Sequence, residues 1–140
     1  MSGGTELATP VEVARRAQQA FEQAGIDGWV RETWHPDIEL DMRPAGIPGM
    51  GIYRGSDAAG AFVHEWAATF DGWDLQLLDV TPVDETRAIA EWLQTGTGHE
   101  SGAPVEMRFF QIFEVRDGLT IRLTTYLDPA EARRAAGLDS

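Results

Sequence analysis

From Trp73 to Leu127 the chain is written almost wholly in period-two patterns broken by short turn signals, and nothing else restricts the fold as much. Runs near Trp73–Val83, Arg87–Gly98, Val105–Arg116 and Leu119–Leu127 read as strands, with turns at Asp84-Glu85, Ser101-Gly102 and Asp117-Gly118. Connections this short join antiparallel neighbours, so the four strands are expected to form a meander. Alternation also assigns faces. Val105, Met107, Phe109, Gln111, Phe113 and Val115 share one side of their strand, and Gln111 is the single polar residue in that set.

The first half of the chain has a different period. Thr9-Pro10-Val11-Glu12 fits a capping box with proline at the first helical position, and Val11, Ala14, Gln18 and Phe21 continue at helical spacing, which predicts a helix over Pro10–Ala24. Asp27 caps a second short helix carrying Trp29, Val30, Thr33 and Trp34, ended by Pro36. Ile38–Arg43 alternates, with Ile38, Leu40 and Met42 on one face and Glu39, Asp41 and Arg43 on the other. The glycine- and proline-rich stretch Pro44–Gly55 is a loop with a short strand at Ile52–Arg54; Ser56 then caps a third helix that buries Ala59, Phe62, Val63, Trp66 and Phe70. Asp128-Pro129 opens a last helix, Ala130–Ala136, closed by Gly137. Helices first and long strands last give an α+β domain: a cone-shaped, curved antiparallel sheet wrapped around the N-terminal helices and enclosing a pocket. The expected domain is 10–137, with tails at 1–9 and 138–140.

Composition removes whole classes of chemistry. The 140 residues include no Cys, Lys or Asn, which excludes disulfides, thiolate nucleophiles and lysine Schiff bases. Eleven arginines face 23 acidic residues, a net charge of −12, so nucleic acid and anionic membrane surfaces are not expected partners. No basic run exceeds Arg15-Arg16 or Arg133-Arg134, no apolar leader is visible, and no stretch is long enough to span a bilayer; a cytoplasmic protein is expected. His35, His64 and His99 fall on separate elements, so no metal site and no cofactor are expected.

Six motifs in order then carry a resemblance that spans nearly the whole chain: Trp34-His35-Pro36-Asp37-Ile38-Glu39, the loop Gly46–Gly55, Glu65-Trp66, Gly96-Thr97-Gly98, Arg116-Asp117-Gly118 and Tyr126-Leu127-Asp128. Together they resemble the SnoaL-like branch of the nuclear transport factor 2-like superfamily, whose members include polyketide cyclases, ketosteroid isomerase and limonene-epoxide hydrolase. The resemblance implies a cofactor-independent enzyme that isomerises, cyclises or adds water to a hydrophobic, oxygen-bearing small molecule. Matched residue by residue, the isomerase's general base falls on Met42, its oxyanion-hole aspartate on Gln111 and its helix-one tyrosine near Ala17 or Gln18. The epoxide hydrolase's arginine and aspartate fall on Trp92 and Gln94, and its second aspartate on Thr125. The charged machinery of both relatives is therefore replaced by neutral groups, of which Trp92, Gln94, Gln111 and Thr125 are expected on the pocket side.

Each candidate carries two readings. Gln111 and Gln94 either orient a substrate oxygen or satisfy one another and a water. Trp66 and Trp92 stack on a ligand or fill core, and Tyr53 donates to a ligand at the pocket mouth or covers the interior. Glu39, Asp41 and Glu91 are turned away by strict alternation, although a bulge in the loop region swings Asp41 or Arg43 inward. The resulting set places Asp41, Tyr53 and Gln111 at the chemistry. Leu40, Met42, Trp66, Trp92, Gln94, Phe109, Gln111, Leu123 and Thr125 form the ligand wall. Ile89, Leu93, Phe110, Ile112 and Tyr126 share the opposite sheet face, rimmed by charge, which fits a homodimer surface. A noncatalytic binding module that has lost its acid–base residues is the competing function; a carboxylate inside the pocket separates the two.

Overall fold

A computed structural model describes residues 9–138; residues 1–8 and 139–140 of the expected tails lie outside the described residues. Thr9 begins the fold as the capping box requires: its hydroxyl accepts from the Glu12 N–H at 3.2 Å, and its own N–H donates to the Glu12 carboxylate at 2.8 Å. Helix α1 runs over Pro10–Thr33 and buries Val13, Ala14, Ala17 and Ala20, so Gln18 and Phe21 sit at the edge of its buried stripe. The element holds a sharp kink. Ala24 (φ −143°, ψ 19°) and Gly25 (φ 66°, ψ −155°) leave helical angles, which is the break expected between two helices. Gly28 packs back across it so closely that a Cβ there would lie 2.5 Å from the Ala24 Cβ and 2.7 Å from the Ala20 carbonyl oxygen.

Trp34 departs from the sequence expectation. It opens strand β1 (Trp34–Asp41) instead of ending the helix, and the strand stops two residues earlier than expected, giving way to a 3-10 turn at Arg43–Ala45. Pro36, which lacks an N–H, falls where the pairing of β1 shifts between Trp34 and Glu39, so the strand passes through it without losing a ladder bond it needs. Strand β2 (Ile52–Arg54) leads to α2 (Ser56–Ala67), whose N-cap is Gly55 instead of Ser56 and which ends before Phe70, the first residue of β3 (Phe70–Pro82). Strands β4 (Arg87–Gly98), β5 (Pro104–Arg116) and β6 (Leu119–Tyr126) and helix α3 (Pro129–Ala135) complete the fold.

The six strands form one curved sheet in the order β2-β1-β6-β5-β4-β3. β3 to β6 are the expected antiparallel meander, whereas β1 joins the free edge of β6 in parallel. β1 reaches that edge by a long route, not a hairpin, so its direction is not forced to alternate. Register shifts at Asp71/Asp74 and Leu77/Asp79 bend β3 over the helices. Gln18 anchors that bend from α1: its Oε1 accepts from the Leu77 N–H, and its Nε2 donates to the Leu75 carbonyl at 3.4 Å. The main core joins Val13, Ala17 and Trp29 of α1 to Ile38, Leu75, Trp92, Phe113 and Leu123 of the sheet.

The outer face is covered at one end from within the chain. Ile89, Ile112 and Tyr126 pack against Ala132 of α3 and Ala136 at its C-terminal end, and are only 6%, 8% and 9% exposed. This corrects the reading of all five apolar residues as an open partner surface, since the short last helix had been given no docking place. Asp128 caps it by accepting from the Ala130 N–H at 2.9 Å, and Leu138, placed in a tail by the sequence reading, packs against the same cluster.

Candidate active site

The inward faces of the cone enclose a cavity of about 600 Å³, counted out to its open mouth. Sheet alternation supplies one wall: Met107, Phe109 and Gln111 from β5, Gln94 from β4, and Leu123 and Thr125 from β6. Leu40 and Met42 close one side, Phe62, Val63 and Trp66 of α2 the other, and Ala45 and Ile47 border it from the loop after β1. Of the expected ligand wall, Trp92 alone is absent from this lining. It lines a smaller chamber deeper between the sheet and α1, together with Trp34 and Gln111.

Gln94 is buried and held in one orientation. Trp66 Nε1 donates to its Oε1 at 2.5 Å and Trp73 Nε1 donates to the same oxygen at 2.9 Å. An indole nitrogen is only a donor, so the amide oxygen must face the two rings and the amide nitrogen must point elsewhere. That Nε2 is buried and has no partner among the described residues. What Gln94 has left to give is an N–H₂ group whose direction is set by two aromatic side chains. Gln111 is partly spent: its Nε2 donates to Thr125 Oγ1 at 3.1 Å, while its Oε1 is buried without a partner.

Asp41 and Tyr53 stand outside the lining. The bulge that turns Asp41 inward does not form, because β1 pairs with both β2 and β6 through this residue. Its carboxylate accepts from the Arg43 N–H, Nε and Nη2, each at 3.0 Å. Those guanidinium bonds outweigh partial burial and hold the carboxyl below the usual carboxylate range, which suits an ion pair and not a general base near neutral pH. The Tyr53 ring stacks on Phe62 at 4.3 Å, with Phe62 nearer the cavity. Glu39 pairs with Arg54 and Arg122, and Glu91 with Arg108, all on the outer face. None of the cavity-lining residues carries a carboxylate, imidazole, phenol or guanidinium. Among the described residues no group of three or more His, Asp or Glu side chains is placed to hold a metal ion, and no helix is long and apolar enough to cross a membrane.

Trp34 and Trp73 are among the lining residues that escape the sequence reading. Trp34 was assigned to a helix, so its facing was unknown. Trp73 stood at the start of a strand whose register shift hides its parity.

Similar folds occur in known structures. An NTF2-like protein from Burkholderia thailandensis is 21% identical, with a TM-score of 0.71 over 92% of this chain and 98% of its own. A candidate SnoaL-like polyketide cyclase from Jannaschia sp. CCS1 is 18% identical, with a TM-score of 0.69 over 94% and 93%. TerC, crystallised with polyporic acid, is 18% identical, with a TM-score of 0.71 over 93% and 99%. No curated protein matches the chain at a significant level. At these identities the structures establish the fold alone; the family is set by the sequence, since the family described as the SnoaL-like domain matches residues 14–123, and the chain belongs to it.

Proposed function

We propose that the protein binds a hydrophobic small molecule in the cone and that Gln94 donates a hydrogen bond from Nε2 to an oxygen of that molecule. The observation behind this reading is the Gln94 amide, buried in a mainly apolar cavity, oriented by two indoles and left with an unspent donor. Because the lining holds no proton-transfer group, the arrangement favours ligand recognition over acid–base turnover. A second reading has one specific support. A donor fixed in advance by its surroundings is what stabilises developing charge on a carbonyl oxygen, and the family neighbours include a candidate polyketide cyclase. On that reading the protein isomerises or cyclises a substrate that supplies its own acidic proton.

The test is a calorimetric titration with 2-acetylnaphthalene against 2-isopropylnaphthalene, which differ in the acceptor oxygen. The ketone should bind more tightly, and Gln94→Met, which keeps the length of the side chain and has no N–H to donate, should abolish the difference. Equal affinity for the two compounds in the unmodified protein would sink the reading. The homodimer is retained on narrower ground: the outer face beyond α3, where half-buried Leu93 lies opposite Arg108 and next to Glu91, is the surface for a second copy.

A further inference from the structure

The wall that carries Gln111 has a second side. Behind it lies the small chamber, lined by Trp34, Trp92 and Gln111 and otherwise mainly by apolar side chains of α1 and the sheet. Three buried polar atoms of these residues have no partner among the described residues: Trp34 Nε1, Trp92 Nε1 and Gln111 Oε1. The residues themselves are 4%, 4% and 5% exposed, so solvent does not serve them. Their rings are also fixed in place. Trp29 packs edge-on to Trp34 at 5.3 Å and tilted against Trp92 at 5.8 Å. Trp92 and Gln111 are diagonal neighbours on the same face of β4 and β5, where Trp92 pairs with Phe109 and Gln111 with Ala90.

An unpaired buried polar atom is costly, and three on residues that line one chamber call for a common partner. The two indole nitrogens only donate. Gln111 has its amide nitrogen on Thr125, so it offers an acceptor. The threonine hydroxyl accepts or donates and does not by itself fix the amide, but turning the amide over would bring a third donor to the two indoles and leave all three unserved. The complement is one oxygen that accepts twice and donates once. A carbonyl, ether or carboxylate oxygen has no proton for Gln111, and an ammonium group has no lone pair for the indoles. A hydroxyl has both. The chamber has room for about one water-sized group, so it takes the oxygen and not the body of a molecule.

We propose that this chamber is a hydroxyl site: it receives the O–H of an alcohol or phenol whose hydrophobic body lies in the larger cavity, and it holds a water when the ligand has no such group. Trp29, Trp34, Gln111 and Leu123 line both spaces, so the two lie side by side across these side chains. The proposal rests on the reading of the larger cavity as a ligand site and adds a second, opposite polarity: Gln94 asks for an acceptor, the chamber for a hydroxyl.

The test compares 2-naphthol with 2-methylnaphthalene, by calorimetry and by following the indole N–H resonances of ¹⁵N-labelled protein. The naphthol should bind on the order of tenfold more tightly, and its binding should shift the Trp34 and Trp92 indole signals. Trp34→Phe and Trp92→Phe keep an aromatic ring and delete one N–H each, and should bring the two affinities to within about twofold. Should either variant fail to fold, the indole shifts in the unmodified protein decide. Equal binding of both compounds with unmoved indole signals means a water site only; it overturns the hydroxyl proposal and leaves the larger cavity's reading standing. Failure of both 2-naphthol and 2-methylnaphthalene to bind, while 2-acetylnaphthalene binds, also overturns the hydroxyl site alone, and failure of all three overturns both.

Discussion

Gln94 shows how a neutral residue acquires a direction. Its oxygen serves two indole donors, so truncation to Leu strands two partly buried N–H groups at once. We expect Gln94→Leu to cost about 1–3 kcal/mol, the range for losing buried hydrogen-bond partners. A urea midpoint equal to that of the unmodified protein would show that Trp66 and Trp73 find other acceptors. Asp41 gives the opposite expectation. Its carboxylate is committed to Arg43 and lies outside the cavity, so Asp41→Asn should leave the affinity for 2-acetylnaphthalene unchanged while weakening the turn after β1. A tenfold loss of affinity would place Asp41 in the site after all. The contrast also marks what the sequence discloses about a site. Gln111 was legible because alternation isolates one polar residue among apolar ones, and Asp41 was legible as turned away. The orienting role of Trp73 was not, because it depends on how β3 bends, which no local pattern encodes.

At the level of elements, the long strands and the capped first helix follow directly from period and punctuation. Three features did not, and each has a physical origin outside its own segment. Trp34 starts a strand because β6 offers it a pairing edge, the parallel placement of β1 depends on the long connection to β6 through α2 and the meander, and α3 buries residues that look like an open face. The kink in α1 tests this level most sharply. Gly28 touches Ala24 and Ala20 across it, with no flexible side-chain end to yield, so Gly28→Ala should destabilise by about 1–3 kcal/mol as an overpacked site. A melting temperature within a degree of the unmodified protein's would mean that the kink opens freely. Ile112→Glu belongs here too. It drives a charge between β5 and α3, so it should lower stability whatever the oligomeric state, and a variant that only alters sedimentation would contradict the helix docking.

For the whole molecule the governing quantity is charge. At −12 each copy repels a second one, so pairing across the outer face should tighten as salt rises and screening shortens. Sedimentation at low and high salt reads this, and a monomer at both removes the interface. The same charge shapes stability against pH in two opposed ways. Between neutrality and the isoelectric point near 4.5, protonation relieves self-repulsion, which favours the compact state. Asp41, Asp84 and Glu12 act in the other sense. Arg43 hydrogen bonds hold Asp41 down, Arg87 hydrogen bonds hold Asp84 down, and the Thr9 backbone and hydroxyl hold Glu12 down. A carboxyl with a depressed folded-state value contributes stability that is present above its ordinary value and lost as pH falls through the lowered one. The loss therefore begins near pH 4 and deepens below it. Tyr126 is the mirror case: burial first, then the Asp41 and Glu131 charges, raise its phenol, so its contribution is complete below about pH 10 and disappears as alkali ionises it. The melting temperature should hold or rise from pH 7 to about 5, fall steeply below about 4, and fall again above about 10. Added salt should flatten the first limb, which arises from diffuse repulsion, and spare much of the acid limb, which arises from specific hydrogen bonds. Tyr126→Phe should soften the alkaline limb alone. Salt that abolishes the acid limb equally would assign it to net charge and not to these three carboxylates.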